Sequence, residues 1–203
     1  MLTSLPNLLT LFRIAAVPGL VALFYMASDL GNWLAAGLFA VAAFTDFLDG
    51  YIARATRQYS AFGRFLDPVA DKLLVSATLL MATAFNQISG LVILPAVVIL
   101  CREITVSGLR EYLAGIQVSV PVSQLAKWKT TLQMFAIGFL IVGDSGPGFL
   151  PVRLIGETGL WIAAGLTLIT GYDYLRAGLG HIDRAEQAAA AKKPAGRERA
   201  SST

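Results

Sequence analysis

The sequence predicts an all-α integral membrane protein with six transmembrane helices and both termini in the cytoplasm. Three observations predict it. The 203 residues are 56% hydrophobic and only 14% charged, with mean hydropathy +0.65; a soluble chain of this length needs more charge to cover its surface. Six stretches are each long and apolar enough to cross a hydrocarbon core, which takes about 20 residues per helix. Basic residues collect in alternate connections between them, the pattern that marks the cytoplasmic side.

The first stretch, 7–28, is not a signal peptide: it lacks a basic leader, carries Arg13 inside, and shows no clean cleavage site. It ends at Ser28-Asp29-Leu30-Gly31. The second, 32–54, and third, 64–85, are joined by a short connection holding Arg54, Arg57 and Arg64. Asn86-Gln87-Ile88-Ser89-Gly90 separates the third from the fourth, 90–112. The connection to the fifth, 122–143, is flanked by Arg110, Lys127 and Lys129. Gly143-Asp144-Ser145-Gly146-Pro147-Gly148 leads to the sixth, 153–178, where Arg153 is the sole basic residue on the outer side. Residues 1–183 are expected to form one six-helix transmembrane domain and 184–203 a disordered basic tail, because that segment is alanine-rich, charged and small. Strands are not expected, since an open sheet cannot sit in lipid.

Charge and composition exclude several functions. Through Asp183 there are 11 basic and 11 acidic residues, and from Arg184 onward 5 and 2, so the net charge of +3 belongs to the tail. The neutral body gives no sign of nucleic-acid binding. With one cysteine, Cys101, there is no internal disulfide, and one histidine, His181, leaves little room for a histidine triad or a multi-histidine metal site.

The informative feature is acid inside the apolar stretches, where ionisable residues are costly and usually functional. Asp46, Asp49, Gly50 and Ala53 lie at i, i+3, i+4 and i+7, and share one helix face. Gly63, Asp67 and Asp71 lie at i, i+4 and i+8. The short connection makes the two helices antiparallel neighbours, so four carboxylates converge near the cytoplasmic end of a hairpin. Four anions in a low-dielectric site need protons or cations. An all-oxygen ligand set suits Mg²⁺ or Mn²⁺, and two divalent ions would balance four charges. Two carboxylate-held metals can clamp a phosphoryl group during displacement.

The spacing Asp46-xx-Asp49-Gly50-xx-Ala53-Arg54, then Gly63-xxx-Asp67-xxx-Asp71, resembles the motif of the CDP-alcohol phosphatidyltransferase family, with every position filled. The resemblance implies six transmembrane helices, a cytoplasm-facing two-metal centre, a homodimer and a CDP-linked donor. It implies that Asp46, Asp49 and Asp67 bind metal and that Asp71 both contacts metal and acts as general base. It places Asp49, Gly50, Ala53, Arg54 and Gly63 around the CDP moiety.

The acceptor must be read elsewhere. Asn7, Thr10 and Arg13 lie roughly on one side of the first helix, and Glu103, Ser107 and Arg110 on one side of the fourth. Basic residues beside a phosphoryl-transfer site suggest an anionic second substrate. The segments Pro6–Arg13, Phe65–Lys72, Arg102-Glu103-Ile104, Leu109-Arg110-Glu111 and Lys127–Met134 resemble the bacterial members of the family that use glycerol 3-phosphate. That resemblance implies conversion of CDP-diacylglycerol and glycerol 3-phosphate into phosphatidylglycerophosphate and CMP at the cell (inner) membrane. Arg110 and Lys127, supported by Thr10 and Arg13, are the expected ligands of the acceptor phosphate. Inositol phosphate or phosphatidylglycerol would be the alternative acceptor. An ion transporter would also bury acids, but its site normally lies near mid-membrane on repeated halves; here all four acids crowd one end of one hairpin.

Overall fold

The computed structural model describes residues 5–56, 61–116, 118 and 124–192. Six long helices account for nearly all of them: α1 (Leu5–Tyr25), α2 (Asp29–Thr56), α3 (Ala61–Ala84), α4 (Ile93–Gly115), α5 (Gln124–Val142) and α6 (Val152–Lys192). Each expected apolar stretch has become one helix, and no strand occurs among the described residues. Short 3₁₀ turns, Gly90–Val92 and Gly143–Ser145, lead into α4 and out of α5.

The helix ends follow local chemistry. Asn86 after α3 and Gly143 after α5 take positive φ, 59° and 50°, the left-handed conformation that closes a helix C-terminus and that glycine and asparagine adopt most readily. Pro95 sits in the first turn of α4, where its missing N–H costs nothing. Pro68 lies inside α3, directly after Asp67, and interrupts the hydrogen-bond ladder beside the acidic residues.

Two groups of helices make up the bundle. α1 packs extensively on both α2 and α3, and α6 packs on α5 and α4; contact between α2 and α5 joins the groups. Among the described residues α1 packs against both α2 and α3, and Asp46 of α2 meets Asp71 of α3. The reason lies in the face that α1 buries: Asn7, Thr10, Arg13, Ala16, Leu20 and Phe24 recur at spacings of three and four and are all buried. In the other group, small residues bring α5 and α6 close. A Cβ on Gly156 would stand 2.8 Å from Leu140 Cγ and 3.0 Å from its backbone N, and one on Gly159 would stand 3.0 Å from Ala136 Cβ. Such contacts suit helices that associate without a hydrophobic drive in lipid.

Four helical segments, Asn7–Tyr25, Gly90–Gly115, Gln124–Ser145 and Val152–Ile182, are long and apolar enough to cross a membrane by length and composition. Among the described residues, α2 and α3, which carry the aspartates, do not meet that criterion. Large apolar side chains lie exposed along the bundle, including Phe44, Leu80, Leu91, Trp128, Phe135 and Trp161. That outer surface suits lipid, whereas a water-soluble domain rarely exposes extended apolar patches.

α6 has 41 residues, about 60 Å at 1.5 Å per residue and so well beyond one bilayer core. Residues 184–192, expected to open the disordered tail, continue this helix. The run Ala188–Ala191 explains it, since alanine is the best helix former. Residues 193–203, the rest of the expected tail, lie outside the described residues.

At one end of the bundle the three helix connections are tied together. Ser145 Oγ donates to Asp29 Oδ1 at 2.6 Å, Asn32 Nδ2 donates to Ser145 Oγ at 2.9 Å, and Gln87 Nε2 donates to Asn32 Oδ1 at 2.9 Å. Arg153 bonds Asp144 at 2.6 Å, Glu157 at 3.2 Å and the Asn86 carbonyl at 3.1 Å. The acidic motif lies towards the opposite end.

Candidate active site

The first turns of α3 and the last turns of α2 bring aspartates to α1. Asp46 comes from α2; Asp67 and Asp71, one turn apart, come from α3. All three meet the guanidinium of Arg13. Arg13 Nη1 donates to Asp46 Oδ1 at 2.7 Å and to Asp71 Oδ1, and Nη2 donates to Asp67 Oδ1 at 3.1 Å. The Arg13 side chain is 0% exposed, while those of Asp46, Asp67 and Asp71 are 34%, 45% and 32% exposed. The cluster is therefore sealed on the α1 side and open on the other. Gly63 lies two turns before Asp71 on α3, as the spacing requires. The backbone of Asp49, Gly50, Ala53 and Arg54 continues α2; their side chains lie outside those described.

Three carboxylates focused on one cation have the donor chemistry that Mg²⁺ or Mn²⁺ requires, hard oxygens close enough to share a charge. Among the described residues no three acidic, histidine or cysteine side chains stand in a metal-holding group. The carboxylates are arranged around the broad, planar guanidinium instead.

A second charged cluster joins α4, α5 and α6 to α3. Glu103 of α4 accepts a hydrogen bond from Lys129 of α5, pairs with Arg102 at 3.2 Å and lies 3.9 Å from Lys72. Lys129 is only 2% exposed, so Glu103 is what makes its burial tolerable. Arg102 also donates to Thr170 Oγ1 of α6 at 3.1 Å. Its side chain passes over Gly171, where an added Cβ would stand 2.9 Å from Arg102 Cγ. Three helices thus meet through Glu103, Arg102 adds α6, and Lys72 directly follows Asp71 in sequence.

The expected acceptor ligands occupy different surroundings. Arg13 is engaged with the aspartates. Thr10 is buried one turn before it. Arg110 is exposed and stacks over the Tyr174 ring of α6, 5.7 Å from its centroid. Lys127 is exposed in the first turn of α5.

The sequence model of the CDP-alcohol phosphatidyltransferase family matches residues 3–169, from the start of α1 well into α6. The chain belongs to this family. As a family member it is 51% identical, over 174 residues, to the CDP-diacylglycerol–glycerol-3-phosphate 3-phosphatidyltransferase of Rickettsia bellii, covering 86% of this chain and 94% of that one. It is 39% identical to the protein of the same name from Cereibacter sphaeroides, covering 88% and 97%. A chloroplastic/mitochondrial relative from Arabidopsis thaliana is 43% identical, covering 85% of this chain and 62% of that one.

Two features of this family member are not visible from spacing alone. One is the partner set of Arg13, whose place on α1 suggests an acceptor ligand. The other is the Glu103 cluster. Its signal was available: Lys72, Glu103 and Lys129 are opposite charges on neighbouring apolar stretches, where such residues tend to pair.

Proposed function

We propose that this chain is a membrane enzyme that transfers the phosphatidyl group of CDP-diacylglycerol to glycerol 3-phosphate, giving phosphatidylglycerophosphate and CMP. The observation that carries this reading is the convergence of Asp46, Asp67 and Asp71 on one focus in a chain whose relatives bear the name of that reaction. All six helices cross the cell (inner) membrane in this reading, with both termini and the acidic end of the bundle in the cytoplasm, where both soluble partners, glycerol 3-phosphate and CMP, are found. The chain acts as a homodimer.

Each residue then has a task. Asp46, Asp49, Asp67 and Asp71 hold two divalent ions, Mg²⁺ or Mn²⁺. Bound there, the ions would offset negative charge on the diphosphate and on departing CMP. Asp49, Gly50, Ala53, Arg54 and Gly63 surround the CDP moiety, the small residues leaving space for close approach. Arg110 and Lys127, with Thr10 and Arg13, receive the acceptor phosphate. Asp71 takes the proton from the primary hydroxyl of glycerol 3-phosphate. That oxygen forms a bond to the β-phosphorus as the bond from phosphorus to the CMP oxygen breaks, and the electron pair leaves with CMP. A single displacement accounts for the reaction, because Cys101 and His181 stand outside the motif and metal-bound carboxylates are weak nucleophiles.

The test is to supply the purified full-length chain in detergent with CDP-diacylglycerol, Mg²⁺ and isotopically labelled glycerol 3-phosphate. The label should appear in a lipid with the mass of phosphatidylglycerophosphate. Label transfer from inositol phosphate or phosphatidylglycerol, and none from glycerol 3-phosphate, would overturn the assignment of the acceptor.

A further inference from the structure

The guanidinium of Arg13 uses one oxygen from each of three aspartates. Its Nη1 bonds the Oδ1 atoms of both Asp46 and Asp71, and Nη2 bonds the Oδ1 atom of Asp67 at 3.1 Å. A divalent cation such as Mg²⁺ draws oxygen ligands to about 2.0–2.1 Å. It cannot share those oxygens with a guanidinium at hydrogen-bond distance without strong like-charge repulsion. Two arrangements resolve the conflict. Either the carboxylates rotate and offer their other oxygens from the open side, and Arg13 stays as a brace. Or the guanidinium gives up its oxygens when metal arrives.

The geometry favours the second. Nη1 bonds carboxylates from two different helices, Asp46 of α2 and Asp71 of α3, and so already occupies oxygens that a metal held by these aspartates would need. Arg13 is wholly buried on the α1 face, so its charge lies in a region where solvent screens little. Without any cation there, three carboxylates from α2 and α3 would repel one another.

We propose that Arg13 is a resident counter-ion that holds the carboxylate cluster together in the metal-free protein and competes with divalent cations for it. This inference rests on the reading of the cluster as a metal site. Metal loading is then an exchange of one cation for another, and the apparent metal affinity of the wild-type protein is set below what the aspartates alone would provide.

The experiment is a Mn²⁺ titration of the full-length protein in detergent, reading free Mn²⁺ by electron paramagnetic resonance. Wild type, Arg13→Gln, Arg13→Lys and Asp67→Asn are compared. Removing a buried positive charge from beside the metal should tighten binding roughly tenfold or more. Arg13→Lys, which keeps the charge but loses the fork, should shift the Kd in the same direction by less. Asp67→Asn should weaken binding. Thermal unfolding gives a second readout: Arg13→Gln should melt below wild type without metal, and saturating Mn²⁺ should narrow that gap. An unchanged or weakened Mn²⁺ affinity in both Arg13 variants would overturn the competition and make Arg13 a brace. If Arg13→Gln does not fold, Arg13→Lys decides alone by the same criterion. Absence of Mn²⁺ binding in wild type and variants alike would overturn the metal reading itself, and with it the competition.

Discussion

Charged side chains buried in an apolar bundle persist only where each finds a partner, because leaving one unpaired is far more costly than losing an exposed contact. Arg13 and Lys129 illustrate this, each nearly or wholly buried and each bonded to carboxylates. The two sites differ in balance. Among the described residues Arg13 faces three carboxylates, so acids outnumber the cation there. Glu103 faces three cationic groups and leaves its cluster positive. Replacing Asp71 with Asn should lower kcat by about 10²–10⁴, the usual worth of a general base, while the protein still assembles. A single displacement also predicts inversion at a chiral β-phosphorus; net retention would make an aspartate a nucleophile. Glu103→Gln should destabilise the bundle by about 1.5–3 kcal/mol, the range for a hydrogen bond to a charged group. Its effect should be visible as a lower melting temperature in detergent, with Glu103→Asp partly restoring it.

Helix positions were legible where they depend on length and composition, and less so where they depend on contact. All six helices follow the apolar stretches, and four helical segments are long and apolar enough to cross a membrane by length and composition. Asn86 and Gly143 marked two helix ends because few other residues take their backbone conformation. The i, i+4 relation of Asp67 and Asp71 needed only helical periodicity. The packing of α1 against both α2 and α3 is not legible, because the buried face of α1 has to be matched to two helices at once. The length of α6 is not legible from composition, because alanine and charge together resemble a flexible tail, while alanine alone favours helix. At this scale the closest approach is testable. Gly156→Leu should disturb the α5–α6 seam, since even a Cβ there meets Leu140 Cγ at 2.8 Å. A loss of about 1–3 kcal/mol is expected from overpacking, read as faster inactivation on warming, with Gly156→Ala milder. An unchanged half-life for Gly156→Leu would mean that the seam separates freely.

The whole molecule has a polar end on each side and they do different work. One is tied by hydrogen bonds among Asp29, Asn32, Gln87, Ser145 and Arg153; the other holds the open carboxylate cluster. The proposed orientation is testable by replacing exposed Cys101 and introducing single cysteines, Gly148→Cys and Arg57→Cys. In intact cells a membrane-impermeant maleimide should label Gly148→Cys from outside and reach Arg57→Cys only after permeabilisation. The family and its motif were legible because fixed spacing on two helices survives translation into structure; the choice of acceptor ligands was less so, because Arg13, Arg110 and Lys127 stand in different surroundings. The most direct measurement is CMP release by the purified full-length protein, with CDP-diacylglycerol, glycerol 3-phosphate and Mg²⁺ each omitted in turn, beside Asp46→Asn. The expected result is release that requires all three and falls by orders of magnitude in the variant. Release that continues in thoroughly chelated protein, or at full rate without glycerol 3-phosphate, would contradict a metal-dependent transfer to that acceptor.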